Sequence, residues 1–353
     1  MKILVTILSI LAATAGLAQT PAGRSGAAKQ PLTQGTSGSE TDALALQVML
    51  DRAGFSPGEI DGRPGNNFKR AVAAFQRSNG LPESGQVDEQ TRERLAVGMA
   101  NQPVVIEYQV TEADVAGPFT ASIPADLVQQ SKLERLGYRN ALEAVAERFH
   151  ASPQLLQRLN GGTSASKAGE RILVPNVEPF ELPQPAATQR GRGRSAEPAT
   201  ATSRGRRGTT PAPAPAPAFT IAVTKSTSAL TVEDGTGRII FHAPVTSGSE
   251  RDPLPIGTWK VTTVQLMPKF HYNPELFWDA DPKHSKATIK EGPNNPVGVA
   301  WVDLSKEHYG IHGTPEPSRV GHVQSHGCVR LTNWDVQRLL AWVQPGTQVV
   351  FRE

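Results

Sequence analysis

The sequence predicts a multi-domain protein in which a mainly β C-terminal domain follows a small three-helix domain and a small α+β unit. Two low-complexity stretches, 19–40 and 183–217, interrupt the 353 residues. Between them, apolar residues recur at helical spacing; after them come short Val-, Ile- and Thr-rich segments separated by turn residues. A chain of this length usually holds two or three domains.

The N-terminus has the layout of a secretory signal peptide. A short positive start is followed by an apolar run from Ile3 to Ala13 and by small residues before Gln19. The run is too short to span a bilayer, which disfavours the alternative of an uncleaved anchor, and no later stretch is long and apolar enough. We therefore expect residues 1–18 to be removed, no stable membrane anchor, and an exported protein of the periplasm or cell wall.

Both low-complexity stretches are expected to be disordered tethers. The second, 183–217, carries six arginines against Glu197 alone, so the formal net charge of +3 belongs to this tether and not to a folded face. Arginine-rich segments bind RNA in some proteins, but an exported protein rarely meets nucleic acid. We expect no nucleic-acid partner, and a tether that lets the domains on either side move independently.

Residues 41–99 predict three helices. Asp88 is placed to cap the third, and apolar residues line one face of the first two: Ala43, Leu46 and Leu50; Phe68, Ala71, Val72 and Phe75. The elements DG..G, AV..FQ and GL...G.VD..T...L resemble the peptidoglycan-binding domain of the three-helix type. That resemblance implies peptidoglycan as a partner. A three-helix spacer without a ligand is the alternative.

Residues 104–177 predict two helices and a strand. An apolar helix face runs from Ala141 to Phe149, Ser152 and Pro153 begin a second helix, and AGERILVP is typical of a strand. This order resembles a LysM module, a βααβ glycan binder, and implies weak binding of glycan strands. The usual opening strand is expected to be missing, because the unusual segment 109–137 stands before the first helix.

The only cysteine, Cys328, has chemically suitable neighbours. A thiol attacks as its thiolate, so it needs a base or a positive neighbour. His326 is close in sequence, whereas His312 lies far enough upstream for a loop to return it to the thiol. Arg330 would share a strand face with Cys328 and can hold a carboxylate. Gly327 leaves room for a substrate carbonyl to meet backbone N–H groups.

The run His312-Gly313-Thr314 … Ser325-His326-Gly327-Cys328-Val329-Arg330 resembles the signature of L,D-transpeptidases with a YkuD-type catalytic domain. PIGTWKV and GPNNPVG, which precede it, support the resemblance across 219–353. It implies a β-sandwich-like domain that needs no cofactor. The resemblance implies that Cys328 is the nucleophile and that His312, oriented by a backbone carbonyl, accepts and donates the proton. The N–H groups of Gly327 and Cys328 would form the oxyanion hole, and His326 would be a further catalytic-site residue. Substrate binding is implied for Arg330, Ser325, Gly313 and Tyr309.

The implied reaction is formation of 3→3 cross-links between peptidoglycan stem peptides through a cysteine thioester. Water as the acceptor would make the protein an L,D-carboxypeptidase, and a protein amine would attach that protein to the wall. A non-catalytic wall-binding protein with an inert thiol is the rival of a different class. A zinc site is disfavoured, because the four-residue spacing of His308/His312 and His322/His326 suits only a helix, which the intervening glycines and prolines exclude.

Residues 267–290 form a long excursion between two strands, with four aromatic residues, Phe270, Tyr272, Phe277 and Trp278. Such a segment is either a lid over the cleft or a loop whose aromatic residues pack down. The sequence favours neither, and it makes no prediction of oligomeric state.

Overall fold

The computed structural model describes residues 38–99, 102–183 and 219–353. The predicted signal peptide, 1–18, and most of the tethers predicted at 19–40 and 183–217 lie outside the described residues. These described residues belong to one compact unit. No helix within the described ranges has the length and apolar character needed to cross a membrane.

The N-terminal domain is the predicted three-helix unit. Its helices are α1 (Gly38–Arg52), α2 (Asn66–Ser78) and α3 (Glu89–Val97). The Asp88 carboxylate accepts a hydrogen bond from the Thr91 N–H at 2.8 Å, which confirms it as the cap of α3. The predicted apolar faces of α1 and α2 meet in one core around Leu50, Phe68 and Phe75.

The middle unit has an opening strand, so the prediction that this strand is missing is wrong. Its elements are β1 (Val105–Gln109), α4 (Glu112–Ala116), α5 (Leu127–Gln130), α6 (Ala141–Arg148), α7 (Pro153–Leu159) and β2 (Arg171–Pro175). β1 pairs antiparallel with β2, placing Val105 opposite Pro175. The order is therefore β-α-α-β with α4 and α5 inserted after the first strand. That insertion separates β1 from α6 in sequence and hides the pattern.

The C-terminal domain is mainly β, as predicted. Its elements are β3 (Thr220–Thr224), β4 (Ala229–Glu233), β5 (Ile239–Pro244), β6 (Thr246–Ser247), β7 (Gly257–Leu266), β8 (Phe270–Tyr272), β9 (Ala287–Ile289), β10 (Ala300–Leu304), β11 (Gly310–His312), β12 (Val329–Arg330), α8 (Asn333–Leu339) and β13 (Gln348–Arg352). Nine strands form one hydrogen-bonded sheet in the order β5-β4-β3-β13-β7-β10-β11-β12-β6, because the long β7 pairs with β13 along residues 257–260 and with β10 along residues 261–266.

The three units meet at α8 through one buried ion pair. The Asp51 carboxylate, whose side chain is 0% exposed, accepts hydrogen bonds from Arg338 at 2.8 and 3.0 Å. His150 of the middle unit places Nδ1 3.1 Å from Asp51 and stacks on Trp334. Burial alone would raise the pKa of Asp51, but the positive charge of Arg338 and the partnership with His150 outweigh it and hold that pKa below its ordinary value.

Further polar contacts join the units, in contrast to the independent motion expected from the tether. The Ser56 hydroxyl donates to Asp335 at 2.8 Å, and the Ser56 N–H donates to the His242 carbonyl on β5, the last strand at one edge of the sheet, at 2.9 Å. Glu147 of the middle unit accepts from the Asn333 amide at 2.8 Å. These partners lie in different units, so separating the units would leave buried polar groups unpaired.

We predict that Arg338→Ala lowers the free energy of unfolding by about 3 kcal/mol, because it leaves the Asp51 carboxylate buried without its main partner. Urea denaturation of the full chain measures this change. The matched control is Arg171→Ala, which removes an ion pair with Glu107 in which both side chains are more than half exposed; its cost should stay within about 1 kcal/mol. Equal costs for the two variants would contradict a structural role for the Asp51 ion pair.

Candidate active site

Two short parallel strands bring the predicted residues together. β11 and β12 pair in a register that sets Ile311 opposite Val329 and His312 opposite Arg330. Ile311 and Val329 are fully buried in the core. Side chains alternate along a strand, so His312 and Arg330 lie on the other face, and Cys328, two residues before Arg330, shares it. The Cys328 Sγ lies 3.7 Å from the His308 carbonyl oxygen.

His312 is held from two sides. Its Nδ1 lies 2.7 Å from the Gly313 carbonyl oxygen, and its ring stacks on Trp301 with centroids 5.2 Å apart and an interplanar angle of 18°. A carbonyl only accepts hydrogen bonds, so Nδ1 carries the proton and Nε2 is the basic atom. This is the backbone carbonyl that the family resemblance implied. It also means that Gly313 orients the histidine, in place of the substrate-binding role predicted for it.

The thiol and the imidazole both rest uncharged, beside the charged Arg330. Burial, reinforced by the positive charge of Arg330, lowers the pKa of His312 to about 3 against the opposing bond to Gly313. Burial also raises the pKa of the Cys328 thiol, although a backbone hydrogen bond with Gly310 and the charge of Arg330 oppose it. Near neutral pH the pair is therefore a thiol beside a neutral imidazole and not a thiolate beside an imidazolium. His312 can accept the thiol proton as the sulfur attacks.

The residues before the cysteine shape the backbone around it. Gly327 has φ +101°, and a Cβ there would lie 2.7 Å from the Tyr309 ring, so only glycine fits. Ser325 is buried; its hydroxyl donates to the Cys328 carbonyl at 2.7 Å and accepts from the Gly248 N–H at 2.8 Å. Both partners of that hydroxyl are internal, which indicates a positioning role for Ser325; its role in substrate binding stays a prediction. Tyr309 stays beside Gly327 at the site.

Arg330 is the charged group without a counterpart. Within the described residues it makes no ion pair, and its buried Nε has no hydrogen-bond partner. Burial lowers its pKa, and Cys328 and Glu316 act in the opposite direction. A largely desolvated guanidinium is costly unless a carboxylate pairs with it. The geometry therefore suits a ligand carboxylate next to the thiol.

The excursion 267–290 contacts the active-site loop. β8 and β9 pair as a hairpin base. From its tip, the Asp279 carboxylate lies 2.8 Å from His326 Nε2, and the Phe277 and Trp278 rings lie 5.0 and 5.6 Å from the His326 ring. Trp278 is 54% exposed. Such contacts are expected both of a lid and of a loop whose aromatic residues pack down. The excursion is called the lid below for its position beside the cysteine, and it engages His326 through Nε2.

The histidines that raised the zinc alternative have separate partners. His308 pairs with Glu307, His322 lies 3.4 Å from the Asn67 amide, and His326 bonds to Asp279. Across ranges 38–99, 102–183 and 219–353, no group of three or more His, Cys, Asp or Glu residues is arranged to hold a metal ion.

Two residues of the site were missed by the sequence reasoning. Trp301 stacks on His312, and its only sequence signal is its place in the alternating strand VAWVDL. Asn333 accepts from the Val299 N–H at 3.2 Å, and its Oδ1 would lie only 2.3 Å from a Cβ on Gly313. Asn333 thereby supports the carbonyl that orients His312. The glycine-rich GPNNPVG run was a signal of this close packing.

Comparison with known proteins finds two family matches. Residues 218–351 match the YkuD family, described as the L,D-transpeptidase catalytic domain. The C-terminal domain is similar to such catalytic domains over nearly its full length. Residues 39–95 match the family described as putative peptidoglycan binding domain, so the three-helix unit is similar to those domains. Neither match includes the middle unit.

Individual relatives align over short segments. The chain is 51% identical over 57 residues to the putative L,D-transpeptidase YkuD of Bacillus licheniformis, covering 16% of this chain and 34% of the relative. It is 42% identical over 65 residues to the probable L,D-transpeptidase YbiS of Escherichia coli K12, covering 18% and 21%. An L,D-transpeptidase structure from Mycobacterium smegmatis aligns with a TM-score of 0.32 and 18% identity, over 39% of this chain and 59% of that one.

We predict that alkylation of Cys328 by iodoacetamide is slow at pH 7 and rises about tenfold per pH unit until the raised thiol pKa is passed. Below that pKa the thiol is protonated, and the thiolate fraction grows with pH. Arg330→Gln removes a charge that favours the thiolate, so its profile should move to higher pH. A rate that is already constant between pH 5 and 8 would show a resting thiolate–imidazolium pair and contradict this assignment.

Proposed function

We propose that this protein is an exported, cysteine-dependent L,D-transpeptidase that forms 3→3 cross-links between peptidoglycan stem peptides. The observation that carries the proposal is the register of β11 and β12, which sets His312 opposite Arg330 and puts Cys328 on the same face. Nucleophile, base and a cation without a counterion thus lie on one small surface. The match of residues 218–351 to the L,D-transpeptidase catalytic domain family supports transpeptidation as the reaction class.

In the first half of the reaction, the Cys328 sulfur attacks the carbonyl carbon of the third stem residue in a tetrapeptide. His312 Nε2 takes the thiol proton, and the Gly313 carbonyl stabilises the ring as it becomes charged. The carbonyl oxygen gains negative charge and accepts hydrogen bonds from the Gly327 and Cys328 N–H groups. When the C–N bond breaks, His312 returns the proton to the departing D-alanine amine, which leaves a thioester on Cys328.

In the second half, an amine from a neighbouring stem attacks the thioester carbonyl. His312 accepts the amine proton and gives it to the sulfur as the C–S bond breaks, so the thiol is regenerated. The low pKa of His312 suits this sequence, because the imidazole is neutral at the start of each half-reaction. Water in place of the amine would give trimming instead of a cross-link.

Arg330 supplies recognition of the donor stem. Its guanidinium has no carboxylate partner within the described residues, and stem peptides carry carboxylates near the scissile bond. Pairing of the two would orient the donor carbonyl over Cys328 through directed hydrogen bonds. The lid adds a second contact, since its tip bonds to His326 beside the cysteine. His326 then acts through the placement of the lid and the donor.

The N-terminal units are proposed to bind the wall polymer. The three-helix domain is of the peptidoglycan-binding type. For the middle unit we propose a LysM-like role, because β1 and β2 pair and flank α6 and α7 in the order typical of such modules. Its loop 160–170 lines a polar hollow with Asn160, Thr163, Ser164 and Lys167, which suits sugar hydroxyls.

We predict that Cys328→Ala abolishes acyl transfer without unfolding the chain, because a methyl group replaces the only thiol. Intact-mass measurement after incubation with a tetrapeptide should show an acyl adduct on the wild type, with loss of D-alanine, and none on the variant. Analysis of digested wall material for 3→3 dimers then separates cross-linking from trimming. A full adduct on Cys328→Ala, or free tripeptide as the sole product, would overturn the assigned nucleophile or the assigned acceptor, respectively.

We predict a large difference between the two histidines. His312→Ala should slow acylation by about 10²- to 10⁴-fold, the usual cost of losing a general base. His326→Ala should cost far less at neutral pH, because its Nε2 is already bonded to Asp279. Single-turnover acylation kinetics with a soluble tetrapeptide measure both. Equal losses in the two variants would show that the base has been assigned to the wrong residue.

A further inference from the structure

The segment between the catalytic histidine and the nucleophile, residues 313–327, is here called the His–Cys loop. Its two ends are fixed by the β11–β12 pairing and by Ser325. Within its own domain the middle of the loop is held by Thr246, whose hydroxyl accepts from the Gly321 N–H at 2.9 Å and donates to the Arg319 carbonyl at 3.4 Å. Short turns such as the bond from the Arg319 N–H to the Glu316 carbonyl, at 3.0 Å, add to this. Contacts from outside the domain would restrict the motion of the loop further.

Two side chains of α2, in the peptidoglycan-binding-type domain, hold this middle part. The Asn67 amide donates to the Val320 carbonyl at 2.8 Å. Arg70 donates to the Gly321 carbonyl at 3.3 Å and to Asn67 Oδ1 at 3.0 Å, so it also fixes the orientation of the Asn67 amide. Gly321, at φ +78°, approaches so closely that a Cβ would lie 2.4 Å from Asn67 Oδ1.

The helix that carries these side chains is itself fixed to the catalytic domain. At its C-terminal end, the Ser78 hydroxyl donates to the Ile239 carbonyl at 2.6 Å. In the connection between α1 and α2, the Ser56 N–H and hydroxyl bond to His242 and Asp335. Together with the Ser78 bond, these contacts tie the domain that carries α2 to the catalytic domain, so Asn67 and Arg70 can hold the loop in place.

The loop in turn bears on the donor site. Thr246, whose hydroxyl holds Gly321 and Arg319, is the cross-strand partner of Arg330 in the β6–β12 pairing. A displaced loop therefore disturbs the strand position next to the guanidinium that is proposed to bind the donor carboxylate. The thiol depends less on the bonds from Asn67 and Arg70 to the loop, because Ser325 ties the cysteine backbone directly to Gly248.

We propose that Asn67 and Arg70 are positioning residues for acyl transfer, so that the peptidoglycan-binding-type domain is a working part of the donor site as well as a wall anchor. This inference rests on the proposed function for its activity readout. It differs from a role in wall anchoring in one prediction. Replacing Asn67 or Arg70 should lower turnover of a soluble tetrapeptide, where there is no wall to bind.

The test uses the full chain and a soluble tetrapeptide donor. Asn67→Ala and Arg70→Ala should each lower kcat/KM for the donor about tenfold, mainly through KM, as expected for a lost hydrogen bond that orders a loop. The matched controls are Asn66→Ala and Lys69→Ala, exposed neighbours on the same helix, which should stay within twofold of wild type. Alkylation of Cys328 by iodoacetamide and sedimentation with wall material should change in none of the four. Arg70→Lys, which keeps one donor, should recover most of the loss.

Equal turnover in the Asn67, Arg70 and control variants would overturn the proposal. So would a loss that Arg70→Lys fails to restore and that follows the fall in melting temperature. If Asn67→Ala does not fold, the comparison of Arg70→Ala with Arg70→Lys decides. Amide hydrogen exchange in 314–324 is independent of the reaction and should be faster in Asn67→Ala than in Asn66→Ala. If the wild-type chain does not process the tetrapeptide, the proposed function fails. Equal amide hydrogen exchange in Asn67→Ala and Asn66→Ala would by itself refute the inference that Asn67 and Arg70 hold the loop.

Discussion

The backbone pairing of β11 with β12 is the constraint on which the site depends. These strands have only three and two residues, yet their register decides which side chains meet. A slip of one residue would turn Cys328 or His312 toward the core and bring Ile311 or Val329 out. The full burial of Ile311 and Val329 opposes that slip, so the hydrophobic core specifies the alignment of the reacting groups. Catalytic geometry here is a consequence of packing on the opposite face of the same two strands.

The backbone of the site is supported mainly by side chains from elsewhere in the chain. Asn333 fills the space behind Gly313, Trp301 lies against the His312 ring, and the lid tip engages His326. The imidazole does not rely on an ion pair for its orientation, because packing and a backbone carbonyl already provide it. An uncharged His312 is therefore held in place.

The sequence was sufficient for the parts whose signal is local. Helical spacing, the Asp88 and Ser152 caps and the SHGC segment predicted α1 to α3, α6, α7 and the grouping of catalytic side chains. It failed where the signal is not local. Asp51 resembles any polar helix residue until Arg338 is brought to it from far along the chain. The strand β1 lost its visible link to α6 because α4 and α5 intervene. Composition predicted a tether, but it carries no information on whether the domains that it joins dock together.

The docking of α1 on α8 through Asp51 and Arg338 also fixes a distance. A nucleophile joined to its binding domain by a flexible linker reaches every donor within the radius of that linker, and the extent of its reaction depends on the local concentration of donors alone. Under the proposed function, a nucleophile docked against its wall-binding domain reaches only those donors that lie at one distance and in one direction from the point of attachment. Such a protein contacts fewer stem peptides in each binding event, but it contacts them in a repeatable orientation. The spacing of its products along the polymer would then reflect the distance between the binding domain and Cys328.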